Sequence, residues 1–452
     1  MGAGSIRIMW GEIGGGKIEF REVHRFQNEI VEKKGHQRWE MERITGELRR
    51  GFSRVREING YPPHSVGVDS WGVDFVMLDS DGDLLEDPVA YRDERTAGMQ
   101  DEWEALMSRR ETFRRTGINF YVFNTLFQLL SLRGSGVMEN TQRILFMPCY
   151  FNYLLSGVAL NERTIASTSQ LLSVTGDRWE PEVMSAAGLR EDLFGKVIAP
   201  GIKLGRVILE EWKDASVETV AVSGHDTACV VASLPVEDAD FAFISAGTWC
   251  IVGVESTAPL LSDEALKLGI TNERGYPDSY RCLKNIVGLW LVQGLKQSLP
   301  GSLSYERMEQ MVTEGKSIPQ VINPDDPLFF NPGSMREAFD TFISDSGQTP
   351  LSDTGDYIRC AYDSLCFSFR YHLEQLEHLT GRQVRVLHLV GGGSQSEYLC
   401  QHTSNMCERK VVAGPVEGAV MGNILIQAIS MGSIQDLQEG RSLVKESTGI
   451  QT

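Results

Sequence analysis

The chain has 452 residues, 42% of them apolar and 23% charged, and a formal charge of −18 at neutral pH. That composition predicts an ordinary globular protein of two or more domains, without low-complexity tracts. The acidic balance excludes nucleic acid and anionic membrane surfaces as partners, because either requires a basic face. A polyanionic small molecule would have to be met by backbone amides and a metal.

Two β-prone runs open the chain, residues 5–12 and 17–24, with apolar positions at Ile6, Ile8, Trp10, Ile18 and Phe20 and the triplet Gly14-Gly15-Gly16 between them. They predict a hairpin. From Trp39 onward Met41, Ile44, Leu48, Phe52 and Val55 recur three and four residues apart, the pattern of an amphipathic helix covering a sheet. Residues 66–70, 73–78 and 84–91 read as further strands, the last two joined around Asp81-Gly82. Residues 109–157 are mostly helical in pattern, and 161–170 form a polar insert carrying Thr164, Ser167, Thr168 and Ser169, which reads as a loop walling a site.

Residues 221–255 carry three devices. Ser223-Gly224-His225-Asp226-Thr227 sets a carboxylate in a tight polar turn ahead of the apolar run 228–234; 235–240 is a short acidic connector containing Pro235; 241–245 and 249–254 are β-prone runs joined by Ala246-Gly247-Thr248. The connector marks a domain boundary. The last turn offers backbone N–H groups and a hydroxyl, the chemistry that holds a phosphate. Further on, the apolar segment 286–295 reads as a buried helix capped by Asn285. A long helical pattern at 356–379, a strand at 384–390, Gly391-Gly392-Gly393, a helix from about Ser394, a strand at 411–414 and a helix at 418–431 complete the chain.

Residues 2–7 and 245–250 each place small residues and a hydroxyl just before a β-prone run, an echo that suggests a duplicated α/β unit with one phosphate turn per copy. Each glycine turn is equally compatible with a hairpin or strand-to-helix turn that holds nothing, and none has the P-loop or dinucleotide spacing. Asp226 reads either as a base or as the cap of the helix beginning near Thr227. His225 either contacts substrate or satisfies its turn, and Gln293 is either a core polar group or a ligand contact. Arg92 and Arg95 pair with carboxylates or reach a ligand. The eight cysteines contain no CxxC pair, and Cys360/Cys366 and Cys400/Cys407, set on helices at ~1.5 Å per residue, are too far apart to bridge. With no signal peptide and no membrane-length apolar run, the expected compartment is the cytoplasm.

Taken together, Asp69-Ser70-Trp71-Gly72-Val73-Asp74-Phe75, Val89-Ala90-Tyr91-Arg92-Asp93, Phe123-Asn124-Thr125-Leu126, residues 223–228 and 245–249, Leu283-Lys284-Asn285-Ile286, residues 390–393 and Ala413-Gly414-Pro415-Val416-Glu417 resemble the FGGY carbohydrate kinase family over nearly the whole chain. Within it they are most similar to members acting on L-rhamnulose. The resemblance implies two ribonuclease-H-like α/β domains of the actin and sugar-kinase superfamily, at 1–234 and 241–452, with ATP and sugar in the cleft between them. It implies Asp226 as the proton acceptor, with Gly72, His225, Thr227 and Asn285 on the sugar. On ATP it places Ala3, Gly4, Ser5, Ile6 and Arg7 at the first phosphate turn, Thr248 at the second, and Gln293 and Gly391 on the nucleotide side. Mg²⁺ would bridge the β- and γ-phosphates, and the product would be L-rhamnulose 1-phosphate. A kinase of another ketose, such as L-fuculose or L-ribulose, and a non-catalytic sugar- or nucleotide-binding relative are the alternatives. The latter is motivated by a departure: the family's first strand, with its metal-associated aspartate, is missing ahead of Gly2, and Ile6 replaces a glycine. Residues 5–12 are therefore expected to be deprived of a pairing partner, leaving unpaired backbone groups or a new sheet edge in the first domain.

Overall fold

The computed structural model describes residues 1–299, 301 and 303–448. Its contacts separate into two units. The first comprises Met1–Pro235, Ser256–Cys282 and Ala419–Ser447; the second contains Val236–Glu255 and Leu283–Gly418. The break after Pro235 falls at the acidic connector expected between 1–234 and 241–452, and the contacts additionally group two later segments with the first unit. Residues 256–282 and 419–447 join the first unit through tertiary packing, for which no local composition signals.

In the first unit, Ser5–Gly14 and Lys17–Gln27 pair antiparallel along their full length, with a bulge at Ile8/Met9. Gly15 and Gly16 take the positive φ of a tight hairpin turn. The helix Met41–Asn59 buries Met41, Ile44, Leu48, Phe52 and Val55, the face its spacing predicts, and stops at left-handed Gly60. A separate three-stranded sheet runs Ile202–Arg206, Glu218–Ala221, Ser65–Gly67, the last pair parallel. Phe75–Leu78 pairs with Arg143–Phe146.

The strand expected at 84–91 is absent. Leu84 makes only a single bridge to Leu78 and Val89 one to Arg38, while Pro88 supplies no N–H for a ladder. The polar insert 161–170 is no exposed loop either: Asn161 to Gln170 are all buried, folded into a short helix and a 3₁₀ turn. Its hydroxyls bond to carbonyls three residues back, as in Ser167 to Thr164, Thr168 to Ile165 and Ser169 to Ala166, so burial leaves them satisfied.

The second unit's sheet runs Tyr280–Val287, Trp249–Ser256, Phe241–Ala246, Val386–Val390, Lys410–Ala413. The hairpin between Phe241–Ala246 and Trp249–Ser256 is antiparallel, and the last two strands are parallel to Phe241–Ala246 and to each other. Thr354–Thr380 is a 27-residue helix opened by a capping box between Asp353 and Asp356. Asn285 does not cap a helix. It lies within the strand Tyr280–Val287, and the helix begins only at Trp290, because Gly288 turns the chain tightly against Cys250 and Gly247, where a Cβ would meet atoms at 2.5–2.7 Å. All eight cysteines are free thiols, and no helix among the described residues is long and apolar enough to cross a membrane.

Candidate active site

In the first unit the polar turn Ser223–Thr227 is held from three sides. Ser70 N donates to Gly224 O at 2.8 Å and Asp226 N donates to Ser70 O at 2.9 Å, so the turn is hooked onto the Ser70-Trp71-Gly72 corner. Gly224 N donates to Glu162 Oε2 at 2.8 Å, and His225 N reaches Thr164 Oγ1 at 3.3 Å. The helix Asp226–Ala232 starts here with His225 as its N-cap and no side-chain cap bond. Asp226 is therefore the first helical residue and not the cap. Its carboxylate accepts from the Thr227 hydroxyl at 3.1 Å, lies 3.5 Å from His225 Nε2 and is 37% exposed, at the positive end of the helix. A carboxylate so placed is free to accept a proton. The helix is seated by Gly422, whose Cβ position lies 1.9 Å from Cys229 O, so that only glycine permits this approach.

The opposing corner is fixed as firmly. Val73, at a φ of 68°, has its N–H on Thr168 Oγ1 and its carbonyl on Thr125 Oγ1 at 2.6 Å. Asp74 is wholly buried and accepts from the indoles of Trp39 and Trp71 at 2.7 and 2.9 Å and from Gln128 Nε2 at 3.3 Å. Burial pushes its carboxyl up to about 6, against those three donors. Arg95 belongs to this network and not to a ligand: it donates to Gln128 Oε1 at 2.7 Å, and burial brings its guanidinium down to about 10. Arg92 lies exposed over the ring of Tyr91.

Asp226 opens onto a cavity of about 700 Å³ within the first unit, also lined by Asp69, Gly2, Ser5 and Arg7. Ser5 Oγ is buried without a hydrogen-bond partner, a group waiting for an acceptor or donor. Of the predicted first phosphate turn, Ser5 and Arg7 line the cavity. Ile6 does not, because strand alternation sends its side chain wholly into the core; Ala3 packs against that core and Gly4 is exposed. The rest of the cavity wall is mixed, with apolar Leu48, Phe52, Val55 and Trp212 beside polar Glu12, Arg49, His64, Asn423 and Gln427, and it is bounded by the strands Ser5–Gly14 and Ser65–Gly67. Each of these strands is an outer strand of its own sheet. The slot has the character of a strand position more than of a nucleotide pocket.

In the second unit Thr248, Gln293 and Gly391 converge. Thr248 sits exposed at the hairpin tip with Oγ1 3.3 Å from Gln293 Oε1. Gly288 N and Leu289 N donate to the tip carbonyls of Thr248 and Gly247 at 3.1 and 2.8 Å. Gly391, at a φ of 80°, brings its backbone so close to the hairpin that a Cβ would lie 3.0 Å from Ala246 O. Gln293 is half-buried and points to the turn, not the core. Asn285 is half-buried on its strand.

For a hard divalent ion, which keeps several waters and takes one or two carboxylates besides phosphate oxygens, Asp226 and Asp69 are the pair on the cavity wall, Asp69 also accepting from Asn423 Nδ2 at 2.6 Å. No group of three or more His, Cys, Asp or Glu side chains suited to a metal occurs among the described residues. The donor set thus fits an ion held chiefly by phosphate and not a resident metal.

Sequence reasoning missed Glu162, Glu273 and Arg281. Glu162 sits in the polar insert, where an acid beside Thr164 was a signal for a buried cap. Glu273 and Arg281 lie about fifty residues beyond the turn they face, and nothing local marks them.

The model of the FGGY family of carbohydrate kinases, N-terminal domain, matches residues 2–232, and that of the C-terminal domain matches 242–431. Rhamnulokinase of Bacteroides thetaiotaomicron is 38% identical over 460 residues, covering 100% of this chain and 94% of that protein. Rhamnulokinase of Bacillus subtilis is 34% identical over 453 residues, covering 100% and 93%. Among solved structures, ligand-bound xylulose kinase from Lactobacillus acidophilus superposes with a TM-score of 0.81 at 14% identity, over 98% of this chain and 90% of that one. Plasmodium falciparum glycerol kinase with ADP gives 0.79 at 13%, over 99% and 92%. At such identities the likeness is one of fold.

Proposed function

The chain belongs to the FGGY family of carbohydrate kinases, with that family's two-domain α/β fold of the actin and sugar-kinase type, and from this premise we propose that it transfers the γ-phosphoryl group of ATP to O1 of L-rhamnulose, giving L-rhamnulose 1-phosphate and ADP. What carries the choice of sugar is identity of 38% and 34%, along the full chain, to proteins named for that activity.

In the reaction O1 forms a bond to the γ-phosphorus while the bond from that phosphorus to the bridging oxygen of ADP breaks. The proton of O1 passes to Asp226. The acid is suited to this: it is solvent-reaching, held by its backbone on Ser70 and oriented by Thr227. Gly72, His225, Thr227 and Asn285 are the proposed sugar contacts. The turns at residues 3–7 and at Thr248, with Gln293 and Gly391, are assigned to ATP. Because the transition state of phosphoryl transfer is loose, little is asked of the base, and positioning and charge stabilisation supply most of the rate. Magnesium carried on ATP, with Asp226 and Asp69 nearest to hold it, would neutralise charge on the phosphates.

A coupled ADP-release assay across L-rhamnulose, L-fuculose, L-ribulose, D-xylulose and glycerol tests the substrate: L-rhamnulose should give the highest kcat/KM. Preference for another sugar would reassign the protein within its family, and binding without turnover would make it a non-catalytic relative. Asp226→Asn should lower kcat by roughly 10²–10⁴-fold, nearer the smaller figure, with KM for the sugar little changed. An unchanged kcat would remove Asp226 from the mechanism.

A further inference from the structure

The corner that carries Gly72 contains a strained turn. Asp74 N donates to Gly72 O at 2.9 Å across Val73, whose φ is 68°. A three-residue turn closed around a positive φ is the rare, strained form of the γ-turn, and a β-branched residue suits it poorly, because its Cβ crowds the backbone there. Val73 is nonetheless buried, and both of its polar backbone groups are pinned by hydroxyls: its N–H lies 3.2 Å from Thr168 Oγ1, and its carbonyl accepts from Thr125 Oγ1 at 2.6 Å. The turn has a direct consequence for Gly72. Its carbonyl is consumed inside the turn, while its N–H has no partner among the described residues and is left for a ligand.

The hydroxyl of Thr168 has a single proton, which goes to Ile165 O at 2.8 Å, so its oxygen meets Val73 N–H as an acceptor whose orientation is already fixed. The same side chain stands against Gly72. A Cβ there would lie 3.3 Å from Thr168 Oγ1, so a side chain at residue 72 would press on the hydroxyl that pins Val73. Thr168 belongs to the buried insert that also receives the Asp226 turn, with Glu162 Oε2 accepting from Gly224 N at 2.8 Å and Thr164 Oγ1 from His225 N at 3.3 Å. One buried segment thus grips the Asp226 turn at one end and the Gly72 corner at the other, and it sets the spacing between the candidate base and the free backbone donor.

We infer that Thr168 is a positioning residue: by holding Val73 at its positive φ it aims the Gly72 N–H at an oxygen of the sugar, at a set distance from Asp226. This rests on the reading of Gly72 and Asp226 as sugar-facing. Released from Thr168, Val73 loses the hold that keeps its strained φ, so the turn opens, the Gly72–Val73 peptide rotates and the Gly72 N–H is displaced. The loss falls on the sugar and not on ATP, because none of the residues assigned to ATP is bonded to Thr168. An N–H donor takes a hydroxyl or a carbonyl oxygen alike, so this contact positions the sugar and does not by itself discriminate among ketoses.

Hydrogen exchange of the ligand-free protein, resolved to single amides, reads the turn itself. In Thr168→Val, which keeps the side-chain shape, the Asp74 amide that closes the turn should exchange roughly 10-fold faster than in wild type, and Thr168→Ser, which keeps the hydroxyl, should recover slow exchange. Equal exchange in wild type and Thr168→Val overturns the inference. In coupled ADP release, Thr168→Val should raise KM for L-rhamnulose by roughly 10–100-fold and leave KM for MgATP unchanged, and Thr168→Ser should recover most of the loss. Equal change in both constants, or none, overturns it as well. If Thr168→Val does not fold, Thr125→Val, which frees the Val73 carbonyl, carries the same comparisons. Should L-rhamnulose prove not to be the substrate, the proposed activity fails alone: the exchange result stands without turnover, and the split is read on the sugar that the protein accepts or, without turnover, on calorimetric affinities for sugar and ATP.

Discussion

Glu162 joins stability to activity, and Glu162→Gln separates the contributions. The carboxylate is buried and receives four donors: Thr164 N at 2.8 Å on Oε1, and Thr164 Oγ1 at 2.7 Å, Ile165 N at 3.2 Å and Gly224 N at 2.8 Å on Oε2. Burial raises its pKa, and these four donors oppose the rise. Glutamine keeps one oxygen. With that oxygen in place of Oε2, its NH₂ confronts Thr164 N, leaving that N–H and the amide protons unmatched; flipped, three donors are orphaned. Buried unmatched groups cost about 1–3 kcal/mol each, so the better rotamer loses about 2–4 kcal/mol, which lowers Tm by roughly 2–4 °C in a protein of this size. The Gly224 tether is also what holds the turn that carries Asp226. Loosening it displaces the base, and a displacement near 1 Å costs about 10²-fold, so kcat should fall roughly 10–100-fold well below the melting temperature. Thermal unfolding by circular dichroism and coupled ADP release measure the two effects. A Tm and kcat both equal to wild type would refute the assigned role of the tether.

Two further outcomes are expected. Because the Asp74 carboxyl titrates at about 6 when folded against 3.8 ordinarily, the native state binds the extra proton between those values, and stability falls as pH rises through that window, by about 3 kcal/mol at most; Asp74→Asn should flatten this slope in urea midpoints measured from pH 4 to 7, and an unaltered slope would place the titration elsewhere. A short β-branched segment carrying an aspartate, fused ahead of Gly2, should enter the slot between Ser5–Gly14 and Ser65–Gly67, pair with both edges and raise Tm by roughly 5 °C or more, whereas an unchanged Tm would mean that the slot does not take a strand.

Local periodicity made the hairpin at Ser5–Gln27 and the helices Met41–Asn59, Thr354–Thr380 and Gly418–Met431 legible, because each repeats its own spacing many times. It failed where the deciding contact is distant. Residues 84–91 carry β-prone side chains, yet Phe75–Leu78 takes its partner from Arg143–Phe146. The apolar run 286–295 changes from strand to helix at Gly288, for a close approach to Cys250 that apolarity cannot announce. In the insert 161–170 polarity was read as exposure, although the hydroxyls bond within the segment and Glu162 gathers the rest. The turn Ser223–Thr227 was legible as a site, but Glu273 and Arg281 were not, since only folding brings them to His225.

The charge on the candidate site follows the same logic as its geometry. A chain with a net charge of −18 that handles a polyphosphate cannot rely on bulk attraction, so the compensation has to be local. Arg281 and Arg95 are unsuited to it: the first is consumed by Glu273 and the second by the Gln128–Asp74 network. Among the residues assigned to ATP only Arg7 is cationic; the others are glycine, alanine, isoleucine, serine, threonine and glutamine, at turns where N–H groups come within reach of an anion. Positive charge buried around the turn is thus spent on orienting acids, and on the proposed reading neutralisation of the transferring phosphoryl group would fall to backbone dipoles and magnesium carried on ATP. On the proposed reading Asp226, 3.5 Å from His225 Nε2, then has only to accept the hydroxyl proton in a loose transition state.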